Sequence, residues 1–184
     1  MLMSGKWRKL DGALLFLPPG AWLGLYVGKH TICNIGGQKL KLASIEQVEQ
    51  QMAALGPDAM ATPYPAAVIV KQLLSCNLPI SEALLQQSVL AGVGNIAKSE
   101  ILFRARLDPR LKATDLMKEQ MDCLIKMIPA VLWDSYKVGG RWECQVYQRR
   151  GKKCHVCGIR VRSIALPPSK RATYFCPKCQ RIPR

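Results

Sequence analysis

Four cysteines carry the clearest chemistry in this 184-residue chain. In "CHVCGIRVRSIALPPSKRATYFCPKC", Cys154 and Cys157 stand two residues apart, 18 residues follow, and Cys176 and Cys179 repeat the spacing. Two such knuckles supply four thiolates, the donor set of a tetrahedral Zn²⁺ site, and the insert between them is the length of a β-hairpin. All four positions are filled by protein, so one structural zinc ion is expected rather than a catalytic one with an open position. His155 lies inside the first knuckle and is surplus to a full shell. Zinc bound this way supplies about 10–16 kcal/mol of apparent binding energy, enough to fold a short segment too charged to build its own core. Cys33, Cys76, Cys123 and Cys144 show no pairing pattern and read as small hydrophobes or indifferent thiols.

A second candidate is "VLAGVGNIAKSE", residues 89–100, where two glycines and an asparagine interrupt an apolar run and a helix starts again behind them. Gly92 and Gly94 leave backbone N–H groups uncovered, and Asn95 is expected to cap a helix beginning at Ile96. The first turn of a helix has unpaired donors and a partial positive charge, so an anion binds there readily. Lys98 adds a full charge one turn in. A plain inter-helix turn accounts for the same residues, and on spacing alone both readings stand.

Charge separates partners. The chain has formal net charge +15, and its last 44 residues hold 12 Lys/Arg against one acidic residue. An end-loaded basic segment favours a polyanion, nucleic acid foremost. A membrane surface is the weaker candidate, because that tail is rich in Pro, Cys and Arg and forms no amphipathic helix with a basic face. No run of 18 apolar residues occurs, and "MLMSGKWRKL" lacks the apolar centre of a signal peptide, so an intracellular protein is expected.

These groups need elements to position them. "ALLFL", "WLGLYVG", "TICNI" and "KLKLA" read as strands in residues 1–42, and "SIEQVEQQMAALGPD" reads as a helix capped by Ser44 and stopped at Gly56-Pro57. Residues 58–67 form a Pro/Ala-rich connection. From Ala66 to about Trp133 the pattern is helical, with Ser81, Asn95 and Thr114 as candidate caps. Met117, Met121, Leu124 and Ile128 build one apolar face of the last helix, which Pro129 should kink or end.

At this point a family resemblance appears. "LLQQSVLAGVGNIAKSEILFRARLDP", residues 84–109, resembles the helix-two-turn-helix segment of the formamidopyrimidine-DNA glycosylase and endonuclease VIII family. "QVYQRRGKKCHVCG" with "SKRATYFCPKC" resembles that family's zinc finger, "ALGPD" resembles the end of its N-terminal β domain, and "MLMSG" its "LGMSG" hairpin. The resemblance implies an α+β protein: a partial N-terminal β-sandwich domain over residues 1–60, a helix-two-turn-helix domain over 61–143 and a β-hairpin zinc finger over 144–184. It implies a monomer that binds double-stranded DNA carrying an oxidised base or an abasic site, bends it and flips the damaged nucleotide out.

By similarity, Asn95 and Arg171 hold the phosphates beside the lesion, with Gly94 and Lys98 next to them. Met3 fills the gap left by the flipped base, and Arg171 also assists the elimination step. The family's nucleophile is a proline directly after the initiator methionine, followed by glutamate and supported by a lysine on a later hairpin. This sequence has Leu2 after Met1, and none of its residues matches those three. "NIGGQKLKL" stands where the family inserts arginine and phenylalanine into the duplex, and the loop containing "LPP" lengthens the zinc hairpin. The expectation is damaged-DNA binding in base-excision repair of oxidised bases without glycosylase or lyase chemistry by this chain, whether it is a fragment or a short form. The alternatives are a non-catalytic, zinc-dependent module for bent or abasic DNA, and a zinc-ribbon adaptor that leaves residues 84–109 unexplained.

Overall fold

The computed structural model describes residues 6–12, 16–37, 43–140 and 143–181. Met3 and most of "KLKLA" lie outside them. The protein is α+β and divides into two compact units, Met1–Val48 and Glu49–Arg184.

The first unit holds an antiparallel sheet of β1 (Lys6–Asp11), β2 (Ala21–Val27) and β3 (His30–Ile35) in the order β1-β3-β2. β2 and β3 follow the two apolar runs read from the sequence. β1 was not foreseen, because "KWRKLD" is a charged strand whose side chains are mostly exposed, with little apolar alternation to betray it. The expected strand "ALLFL" is not one where it is described: Phe16 is in a bend and Leu17 in no regular element. Thr31, Cys33 and Asn34 on central β3 are buried, and Trp22 Nε1 donates to Asn34 Oδ1 at 2.7 Å. His30 Nδ1 faces Asp11 Oδ1 at 3.1 Å across the β1–β3 pair.

Helix α1 (Ile45–Ala53) begins as expected. Ser44 Oγ accepts the Gln47 N–H at 3.3 Å while Gln47 Oε1 accepts the Ser44 N–H at 3.2 Å, a reciprocal cap.

The second unit contains α2 (Ala66–Leu74), α3 (Ile80–Ala83), α4 (Asn95–Arg104) and α5 (Lys118–Lys137), followed by the hairpin β4 (Arg162–Ala165) and β5 (Ala172–Phe175). Ile69, Leu73, Leu84, Ile101, Leu102, Leu124 and Ile128 form its main core. Three local expectations are corrected. Ser81 lies inside a four-residue helix rather than capping one, and Thr114 sits in a 3-10 turn, with α5 starting beyond Met117. There Gln120 Oε1 accepts the Met117 N–H at 2.9 Å, so Met117 is the exposed cap and Met121 the first buried residue of the stripe. Pro129 does not end α5, because Leu124, Ile125, Ile128 and Val131 bury one face across it and hold both halves in one helix. Among the described residues no helix is long and apolar enough to cross a membrane.

Candidate nucleic-acid interface

Helix α4 is the pivot of the second unit. Seven consecutive residues, Ala97 to Phe103, are buried, so the helix is covered on all sides and its polar members need partners. Ser99 Oγ donates to the Asn95 carbonyl at 3.2 Å and accepts the Tyr174 N–H at 3.4 Å. The Glu100 carboxylate accepts three consecutive backbone N–H groups, from Gln145, Val146 and Tyr147, at 2.9, 3.0 and 2.9 Å. These contacts bind the helix to the segment entering the cysteine knuckles and to β5.

The turn before α4 is held from within. Gln87 Nε2 donates to the Leu85 and Val93 carbonyls, and its Oε1 accepts the Gly92 N–H. Gly92 is left-handed at φ +95°, a conformation that costs a side-chain-bearing residue energy. Gly94 is different. At φ −103° and ψ 179° it is ordinary extended backbone, and a Cβ added there meets nothing within 4 Å. The space in front of the helix start is therefore open at this residue.

Asn95 was expected to cap α4, but Gly94 occupies the cap position and Asn95 is the first helical residue. Its side chain, free of capping, reaches the hairpin instead, where Nδ2 donates to the Ala172 carbonyl at 3.2 Å. Arg171 precedes Ala172 and is exposed. The structure therefore brings the start of α4 and the start of β5, 77 residues apart, to one place. Asn95 Oδ1, Lys98 Nζ and Thr173 Oγ1 are buried there without a hydrogen-bond partner among the described residues.

Lys98 has no solvent exposure. It stands one turn after Asn95, and helical side chains lean toward the N-terminus. Burial pushes its ammonium pKa down from 10.5 to about 8; Glu82 partly offsets this and Arg171 adds to it. Between about pH 8 and 10.5 the unfolded chain holds the proton that the folded chain has released, so this group's contribution makes stability rise with pH there. Below pH 8 the whole penalty of a buried charge is present. Lys98→Met is accordingly expected to stabilise the protein at pH 7 by up to about 3 kcal/mol and to flatten the pH dependence of its urea midpoint above pH 8.

The cysteine centre lies toward the C-terminal end of α4, beside Phe103. Cys154, Cys157, Cys176 and Cys179 place their sulfurs within 4.8 Å of one another, with Cys154–Cys179 at 3.9 Å and Cys157–Cys176 at 3.4 Å. Tetrahedral zinc with bonds of about 2.3 Å sets sulfurs about 3.8 Å apart, so the shell fits the ion. A hydrogen bond from the Ile159 backbone pulls the Cys157 thiol down to about 7, while burial pushes Cys176 and Cys179 up. Packed thiols do not all ionise unaided, and a divalent cation supplies the missing charge. His155 is exposed and outside the cluster. Phe103 of α4 packs with Val146, Cys154, Val161 and Cys176, and Gln180 links the second knuckle to the helical part by accepting from Cys176 N–H and donating to the Leu107 carbonyl, both at 2.8 Å.

Spacing alone missed Glu82, Glu100, Ser99 and Gln180. The only sequence-level sign was a run of polar residues, Lys98 to Glu100, inside an otherwise apolar helix.

Two family models match the chain: "Formamidopyrimidine-DNA glycosylase H2TH domain" over residues 55–144 and "Zinc finger found in FPG and IleRS" over residues 151–182. With the four-sulfur shell, the second match establishes one structural zinc. Formamidopyrimidine-DNA glycosylase of Sphingopyxis alaskensis is 30% identical over 200 residues, covering 97% of this chain and 72% of that protein. The enzyme of Symbiobacterium thermophilum is 32% identical over 166 residues, covering 82% of this chain and 54% of that protein. The chain thus spans about half the length of several curated relatives it matches. A crystal structure of Lactococcus lactis formamidopyrimidine-DNA glycosylase, bound non-covalently to DNA containing an AP site, superposes with TM-score 0.84 at 28% identity, covering 98% of this chain and 72% of that one.

Proposed function

This chain belongs to the formamidopyrimidine-DNA glycosylase family, and from that premise we propose that it binds damaged double-stranded DNA in base-excision repair of oxidised bases. In this reading it acts as an intracellular monomer at abasic or oxidised sites, and its parts are a β domain (1–60), a helix-two-turn-helix domain (61–143) and a zinc finger (144–184). The observation that carries the proposal is the junction of the α4 start with the zinc hairpin. Two independent anion-holding devices, a helix N-terminus and a guanidinium, are brought together by the Asn95–Ala172 hydrogen bond. Buried, unpartnered Lys98 adds positive charge behind them. Such a grip reads backbone phosphate and needs no nucleophile. The proposal is therefore confined to binding; base removal and strand cleavage are the work of the wider family.

The test is fluorescence anisotropy on a duplex carrying a tetrahydrofuran abasic-site analogue, across a salt series. Arg171→Ala is expected to weaken binding about tenfold and to lower the slope of log K against log salt by about 1, as for one lost phosphate contact. Asn95→Ala is expected to weaken binding severalfold with little change of slope, since it removes no charge. Unaltered affinity in both variants would show that the phosphate lies elsewhere.

A further inference from the structure

The zinc hairpin is tied to the helical part at a second point, on the far side of Arg171 from Asn95. Glu82 of α3 is fully buried. Its Oε2 accepts the Ser169 backbone N–H at 2.9 Å and its Oε1 accepts the Ser169 hydroxyl at 3.0 Å, so one carboxylate takes both donors of a residue 87 positions away. Ser169 Oγ in turn accepts the Arg171 N–H at 3.1 Å. Lys170, between them, is left-handed at φ +53°, and its N–H donates to the Leu166 carbonyl at 2.9 Å. Arg171 is thus bracketed: Glu82 and Ser169 fix its backbone on one side, and Asn95 fixes Ala172 on the other.

We infer that Glu82 is a positioning residue for the phosphate grip, holding the Arg171 backbone through Ser169 so that an exposed guanidinium meets the DNA strand already oriented. The inference rests on the reading of Arg171 as a phosphate ligand. A buried carboxylate is costly unless its lone pairs are used, and here they are used on the loop that carries that arginine. Orienting a long side chain before binding removes part of the ordering cost of the complex. The same carboxylate places a negative charge near Lys98, leaving the cluster of Glu82, Lys98 and Arg171 with one net positive charge for a phosphate to meet.

A double-mutant cycle separates positioning from mere structural support. Parent chain, Ser169→Ala, Glu82→Gln, Arg171→Ala and the two doubles with Arg171→Ala are titrated with the tetrahydrofuran duplex across the salt series, with zinc content and melting temperature measured alongside. Ser169→Ala keeps the carboxylate in place and guards against a folding defect in Glu82→Gln. Ser169→Thr, which retains the hydroxyl, is expected to restore binding. Positioning predicts that Glu82→Gln and Ser169→Ala each weaken binding about five- to tenfold when Arg171 is present, shift the salt slope toward that of Arg171→Ala, and cost nothing further once Arg171 is alanine. Equal losses in both backgrounds, or parent-like affinity and slope in both single variants, would overturn the role of Glu82 while leaving the grip intact. If Arg171→Ala itself binds like the parent, the fault lies with the phosphate reading instead.

Discussion

Removing zinc is expected to unfold residues 144–181 selectively and to lower affinity for abasic-analogue DNA at least a hundredfold. The buried apolar side chains of this segment are few: Val146, Cys154, Val161, Phe175 and Cys176, with Phe103 lent by α4. The segment is also strongly basic, so without metal its charges repel and two of its buried groups are thiols that no longer share a cation. The roughly 10–16 kcal/mol that structural zinc supplies exceeds what so small a core contributes. The main core of Ile69, Leu73, Leu84, Ile101, Leu102 and Leu124 contains no zinc ligand and stays folded. Hydrogen exchange after chelation should therefore show β4 and β5 losing protection while α2, α4 and α5 retain most of theirs. Cys176→Ser, at a fully buried ligand, should reproduce the effect, with metal analysis falling well below one zinc per chain. A finger that kept its exchange protection without metal would show that packing, not the ion, folds it.

On the proposed reading, DNA binding is expected to be lost with the ion because the zinc-folded hairpin carries Arg171 to the start of α4. Ser169, Arg171 and Ala172 hold their places only while the hairpin exists. Zinc would then act on binding through the fold of the hairpin rather than through contact with DNA.

What could be read from the sequence follows from how local each constraint is. Metal ligation is imposed by residue type at fixed spacing, so the four cysteines were legible, and the glycine-rich turn announced the exposed start of α4. Lys98 was identifiable as a charge beside that turn, but its complete burial was not, since its charged neighbours Glu82 and Arg171 come from distant parts of the sequence. Asn95 was correctly placed at the helix mouth and wrongly made its cap; Gly94 does that work and leaves the amide free for Ala172. Glu82 and Glu100 were invisible for a common reason. Most of what they hold is backbone N–H, 45 to 87 residues away, and a backbone donor leaves no signature in residue type. β1 was hidden by its charge, and the continuity of α5 through Pro129 is decided by tertiary burial rather than by propensity.

Glu100 carries the second large prediction. Glu100→Ala is expected to destabilise the protein by about 4 kcal/mol, because it strips acceptors from three successive backbone N–H groups at once and leaves them in the interior. Val146, the middle one, is fully buried, so water does not replace the lost carboxylate without opening the packing around Phe103. Glu100→Gln should fall between, at about 2 kcal/mol: its single carbonyl oxygen still accepts, while its amide turns a donor toward a donor. An exposed acid such as Glu119 serves as the comparison, and Glu119→Ala should stay within about 0.5 kcal/mol of the parent. Urea unfolding at fixed zinc measures all three. If Glu100→Ala matched Glu119→Ala, the carboxylate would not be what joins α4 to the finger, and the burden of that joint would pass to Phe103 and Gln180.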